Sequence, residues 1–171
     1  GNYTILVTIV TPSSLKIFTV AVVPEINSFE LIGTVFTGLQ QLSVVATSIA
    51  SFDTSTLVNS TSLTFLNLGG NLLSGTFDPS PLSNNIQQLY LQGNAITNIN
   101  PADIPTGLLQ LLLNSNNLTS FDVSQVSAPF PFELSLQSNS LTTIVNPSGL
   151  DSGTKTVRVT SNFLPISEIN A

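Results

Sequence analysis

The sequence predicts a β-rich solenoid in which short parallel strands stack one per coil, making a single elongated domain without a compact centre. Three observations predict it. The stretch Leu63 to Leu73 sets apolar residues at its first, fourth, sixth and eleventh positions (Leu63, Leu66, Leu68, Leu73) and Asn71 at its ninth. The same frame recurs at Ile86 to Ile96 (Leu89, Leu91, Asn94) and Leu108 to Leu118 (Leu111, Leu113, Asn116). Weaker copies open at Pro131 (Leu134, Leu136, Asn139, Leu141) and Thr154 (Val157, Val159, Asn162, Leu164), and one upstream at Leu39 (Leu42, Val44, Ile49) has Thr47 in the asparagine column. Openings at 39, 63, 86, 108, 131 and 154 stand 24, 23, 22, 23 and 23 residues apart. Finally, positions 4 and 6 of each frame flank one polar or variable residue, the period-2 mark of a short strand buried on one face.

These copies resemble the leucine-rich repeat family from about Leu39 to Ile166, and their period lies inside that family's range. The resemblance is to the extracellular type, but without cysteine caps, since the chain has no cysteine. It implies a right-handed leucine-rich-repeat solenoid of the α/β class, with a parallel β-sheet on the concave face and an irregular or 3₁₀ convex side. Residues 1–38 are then an N-terminal β-hairpin cap with a degenerate first repeat, and residues 39–171 are six repeats, the last incomplete.

Residues 4–10 and 15–23 are rich in β-branched side chains and are separated by Thr11-Pro12-Ser13-Ser14, which is a hairpin signal. The second strand also fits the array, because Phe18, Val20 and Val23 precede Leu42, Val44 and Thr47 by 24 residues. Pro12, Ser13, Ser14 and Lys16 interrupt any membrane-spanning run. Down the array, Thr47, Asn71, Asn94, Asn116, Asn139 and Asn162 stand where each strand turns away. An inward amide there can satisfy backbone groups of two adjacent coils. Behind the strands, Phe52, Phe77, Ile99, Phe121 and Ile144 form a second apolar set, expected as a phenylalanine spine, and Val58, Leu82, Ile104, Val126 and Leu150 form a third. Scattered prolines, among them Pro79, Pro101 and Pro129, favour extended or 3₁₀ connections over convex helices.

Composition excludes several classes. Charged residues are 7% of the chain, with three cations against nine acids, so nothing neutralises a phosphate backbone and nucleic acid is excluded as a partner. Histidine is absent along with cysteine, which removes nucleophile–imidazole pairs and the usual zinc sites. Only Glu133 among the acids projects from the strand face, so no carboxylate pair faces a groove. No enzyme activity, cofactor, metal or membrane insertion is expected. Sequons at Asn2, Asn59 and Asn117 are N-glycosylation candidates. The start at Gly1 shows no signal peptide, so the chain reads as a processed product or an excised fragment.

Function must then lie in surfaces. The outward columns read Gln41, Phe65, Gln88, Gln110, Glu133, Thr156; Ser43, Asn67, Tyr90, Leu112, Ser135, Arg158; and Val45, Gly69, Gln92, Asn114, Gln137, Thr160. Family members bind ligands on this sheet, which points to Phe65, Gln88, Tyr90, Gln92, Gln110, Leu112 and Arg158 as a surface for a peptide or carbohydrate. Ile5, Val7 and Ile9 at one end and Val157, Val159 and Leu164 at the other look uncovered, which suits copies of the chain docking head to tail into a filament. The expectation is a non-enzymatic extracellular or cell-surface protein mediating protein–protein interaction. End-to-end assembly is favoured, a ligand-recognition ectodomain is the alternative, and ice binding stands third because no outward column is a row of one small residue.

Overall fold

The computed structural model describes residues 3–8, 15–21, 23–32, 36–127, 132–145 and 155–165. Its strands are β1 (Tyr3–Thr8), β2 (Ile17–Ala21), β3 (Ile26–Ile32), β4 (Gln41–Val45), β5 (Phe65–Asn67), β6 (Ser74–Phe77), β7 (Gln88–Tyr90), β8 (Ala95–Ile99), β9 (Gln110–Leu112), β10 (Ser120–Asp122), β11 (Phe132–Ser135), β12 (Thr143–Val145) and β13 (Lys155–Arg158). Seven of them form one parallel front sheet in the order β13-β11-β9-β7-β5-β4-β2. Neighbours in that sheet are one repeat apart in sequence, so the molecule is a leucine-rich-repeat-type solenoid built of parallel strands. Leu42, Leu66, Leu89, Leu111, Leu134 and Val157 lie side by side in consecutive rungs. The five leucines are fully buried, and Val157 in the last described rung is half-buried.

The asparagines form a continuous ladder. Asn116 shows the pattern: its Oδ1 accepts from Ile96 N at 3.0 Å, and its Nδ2 donates to Leu91 O at 3.0 Å and Leu113 O at 3.1 Å. One side chain thus closes backbone groups of its own rung and of the preceding one. Asn71, Asn94, Asn139 and Asn162 repeat these contacts. Thr47 joins from the first rung by donating its backbone N–H and hydroxyl to Asn71 Oδ1. The residue just before each ladder position takes a left-handed backbone: Ala46 (φ 50°), Gly70 (68°), Gly93 (67°), Ser115 (57°), Ser138 (54°) and Ser161 (59°).

A back layer closes the coils with the two-stranded parallel sheets β1–β3, β6–β8 and β10–β12. Three 3₁₀ turns, Thr54–Leu57, Pro101–Asp103 and Val123–Gln125, carry the chain back to the front. Asp53, Asn100 and Asp122 begin them, each accepting from the N–H two residues on, as short polar side chains do at such starts.

The structure departs from the sequence expectations at the N-terminus. Strands β1 and β2 do not form a hairpin: β1 runs parallel to β3, with Tyr3 opposite Ile26 and Thr4 opposite Ser28. Those pairs are 23 and 24 residues apart, one repeat, so the stacking that joins every other coil also places β1 as the back strand of a preceding rung. Meanwhile β2 pairs with β4, setting Phe18 beside Leu42 and Val20 beside Val44. Two packing details also differ. Leu57, the last residue of the first 3₁₀ turn, is 1% exposed, whereas Val58 behind it is 55% exposed. Ring-on-ring packing runs from Phe18 on the front strand β2 to Phe29 and Phe52 of the back, while Ile99 occupies the rung between Phe77 and Phe121. Leu150 lies outside the described residues.

Candidate functional site

The front sheet brings most of the expected surface residues together. In-register pairing puts Phe65, Gln88, Gln110 and Glu133 in one row and Asn67, Tyr90, Leu112 and Ser135 in the next. The rings of Phe65 and Tyr90 meet edge to face, with centroids 5.1 Å apart and planes at 84°. From Tyr90 a polar chain crosses the sheet. Its hydroxyl donates to Gln110 Oε1, and Gln88 Nε2 donates to both Tyr90 Oη (3.2 Å) and Gln110 Oε1 (3.3 Å). Gln110 Nε2 then donates to Glu133 Oε2 at 2.8 Å, and Glu133 Oε1 pairs with Arg158 Nη1 at 2.8 Å. Four rungs are therefore tied by side chains at right angles to the strands.

Partial burial, and after it the nearby Glu133 carboxylate, pushes the Tyr90 phenol above its usual range. Gln92 lies off this chain: a Cβ on Gly69 would stand only 2.5 Å from its Nε2, so the glycine makes room for the amide to lie across the next rung. Leu112, half-buried, continues the apolar strip beside Tyr90. Glu133, absent from the set marked out by sequence, is the hinge of the network. Its place one rung from both Gln110 and Arg158 was readable from the columns, but the rotamers that connect them were not.

The terminal residues are less tightly gathered. Ile5 and Val7 fall on β1, paired along β3, while Ile9 lies outside the described residues. Val157, Val159 and Leu164 are half-buried, Phe163 is 72% exposed, and a cleft of about 130 Å³ is lined by Val159, Asn162 and Leu164. Asn59 and Asn117 are exposed, and Asn2 lies outside the described residues.

Reading only the front columns hides a second regular surface. On the back layer the repeated steps Ile96-Thr97-Asn98-Ile99, Leu118-Thr119-Ser120-Phe121 and Leu141-Thr142-Thr143-Ile144 bury their first and last residues and expose the middle pair, apart from Thr143, which is half-buried. Thr97, Thr119 and Thr142 thus form one row, with Asn98, Ser120 and Thr143 beside it.

A leucine-rich repeat family model matches residues 62–84. That match falls on the repeat that carries β5 and the ladder residue Asn71. The fold is that of a leucine-rich-repeat-type solenoid. Solved structures agree in fold: a plant ice-binding protein (TM-score 0.69, 20% identity, 94% of this chain and 57% of that one) and a leucine-rich-repeat protein of Leptospira interrogans (0.67, 21%, 92% and 46%). A third is the leucine-rich-repeat ectodomain of a plant membrane receptor kinase from Arabidopsis thaliana in complex with Casparian strip integrity factor 2 (0.57, 22%, 84% and 20%). The chain therefore spans between a fifth and rather more than half the length of these leucine-rich-repeat and ice-binding structures. A comparison with curated protein sequences finds no match. Among the described residues, no helix is long and apolar enough to cross a membrane.

Proposed function

We propose that this solenoid is a non-catalytic recognition module, working at or outside the cell surface, that binds an extended protein segment across its front sheet. The Phe65–Tyr90 pair with its polar chain to Arg158 is the observation that supports the reading. Half-buried aromatic rings beside pre-placed amides, a carboxylate and a guanidinium are the make-up of a protein-binding patch. Holding those side chains in one network lowers the ordering cost on binding. The receptor ectodomain among the structural neighbours, solved with a bound factor, is consistent with such use. Head-to-tail assembly of copies is the alternative use of the solenoid, with β1, paired along β3 on one side, at one end and the Val157, Val159 and Leu164 rung at the other.

Selection of displayed peptides against the purified protein tests the reading. Peptides selected on the native chain should bind a Phe65→Ser/Tyr90→Ser variant at least about tenfold more weakly, since each buried aromatic anchor is worth about 1 kcal/mol or more. Equal binding to both proteins removes the front sheet from consideration.

The paired rows of Thr97, Thr119, Thr142 and Asn98, Ser120, Thr143 favour a second reading, recognition of ice by the back layer. These side chains are small and uncharged and recur once per rung, with Ser120 and Thr143 paired in register across β10 and β12, and the ice-binding plant protein shares the fold. Thermal hysteresis and shaping of ice crystals that disappear in Thr119→Tyr would support it, and ordinary freezing by the native protein would end it.

A further inference from the structure

Between β3 and β6 the back layer is interrupted. Residues 48–53 cross that gap without joining either two-stranded sheet, anchored at their start by Ser48 N to Ile26 O (2.7 Å) and Leu72 N to Ile49 O (3.0 Å). A cleft opens on each side of this rung. One, about 290 Å³, has Phe29, Leu31 and Phe52 in its lining with Glu30 and Asp53. The other, about 240 Å³, has Phe52, Phe77 and Ile96 with Asp53 and Asp78. The three carboxylates belong to exposed residues, whereas Phe29, Phe77 and Ile96 are buried.

We infer that these twin clefts take two basic side chains from one extended segment of a partner protein. A lysine or arginine has an aliphatic stem and a cationic head, which matches an aromatic floor under an acidic rim. Among the described residues no cation lines either cleft, and the net charge of -6 favours a cationic partner. Hydrogen bonds from Ser55 hold the Asp53 carboxyl below the usual carboxylate range, so it is ionised at neutral pH. One Asp53 oxygen accepts from Ser55 N and one Asp78 oxygen accepts from Ser80 N. The clefts lie on the opposite layer from Phe65 and Tyr90, so this surface is independent of the front sheet.

The probe is an acetylated, amidated heptapeptide of alternating serine and lysine, titrated into ¹⁵N-labelled protein. Amide shifts should move at Phe29, Phe52 and Phe77 and fade in roughly 0.5 M salt, where screening is strong. Asp53→Asn/Asp78→Asn should weaken binding at least about fivefold with the fold intact, because an asparagine oxygen can accept the same backbone N–H. Glu30→Gln should reduce the shift at Phe29 and spare Phe77. Shifts centred on Glu133 instead, equal binding of a control heptapeptide with glutamate in place of each lysine, or affinity unchanged in the Asn variants would each overturn the inference.

Discussion

Each ladder asparagine closes three backbone groups, two carbonyls and one N–H, and joins two rungs in doing so. Replacing Asn94 with alanine leaves Leu73 N without a partner, at a cost of about 1–3 kcal/mol if no water replaces the bond, and strips one of two amide donors from Leu68 O and from Leu91 O, which Asn71 and Asn116 still serve. Asn98 is exposed on the back strand. Asn94→Ala should therefore lower Tm by several degrees more than Asn98→Ala, read by circular dichroism; equal midpoints would mean that the amides add nothing. The neighbouring turn column predicts the opposite sign. Ser115 holds φ at 57°, a left-handed conformation costing an L-residue about 1–2 kcal/mol, against about 0.5–1 kcal/mol of extra entropy lost by glycine. Ser115→Gly should raise the urea midpoint slightly, toward what Gly70 and Gly93 already provide. The asparagine column is legible in the sequence because it repeats with the leucines. The left-handed column is not, since Ala46 and three serines conceal a position that only two glycines announce.

At the level of elements, local signals and the repeat compete. Residues 4–10 and 15–23 look like a hairpin when read locally, yet the 23–24-residue offset from β1 to β3 prevails, because pairing in register with the coils lets each new strand stack on one already formed. The same competition exchanged Val58 for Leu57: a 3₁₀ turn starting at Asp53 aims its last residue inward, and position counting missed the turn. On the front sheet, columns could be assigned from spacing alone, whereas the chain Tyr90–Gln110–Glu133–Arg158 depends on side-chain torsions that no column encodes. That chain leaves a signature at high pH. The folded state holds the Tyr90 proton more tightly than the unfolded chain, whose phenol titrates near 10.0. The contribution is fully present below that pH and is lost as pH rises from there to the raised folded value. Tyr90→Phe should flatten this alkaline decline in stability; an unchanged slope would show that the tyrosine sits in ordinary solvent.

For the whole molecule, each rung touches only its neighbours, so stability adds up along one axis. Leu89→Ala removes a fully buried side chain from the middle of the stack, costing about 2–5 kcal/mol. Val157→Ala, in the half-buried last described rung, should cost clearly less. Hydrogen exchange should place the strongest protection in β5, β7 and β9, and uniform protection from β2 to β13 would contradict a linear array. Ions contribute little to this cohesion: the pair between Glu133 and Arg158 lies at the surface, while buried leucine stacks and amide ladders run through the described rungs. A chain tied together in this way is indifferent to brine, and its endurance should be much the same in sea-strength salt as in fresh water.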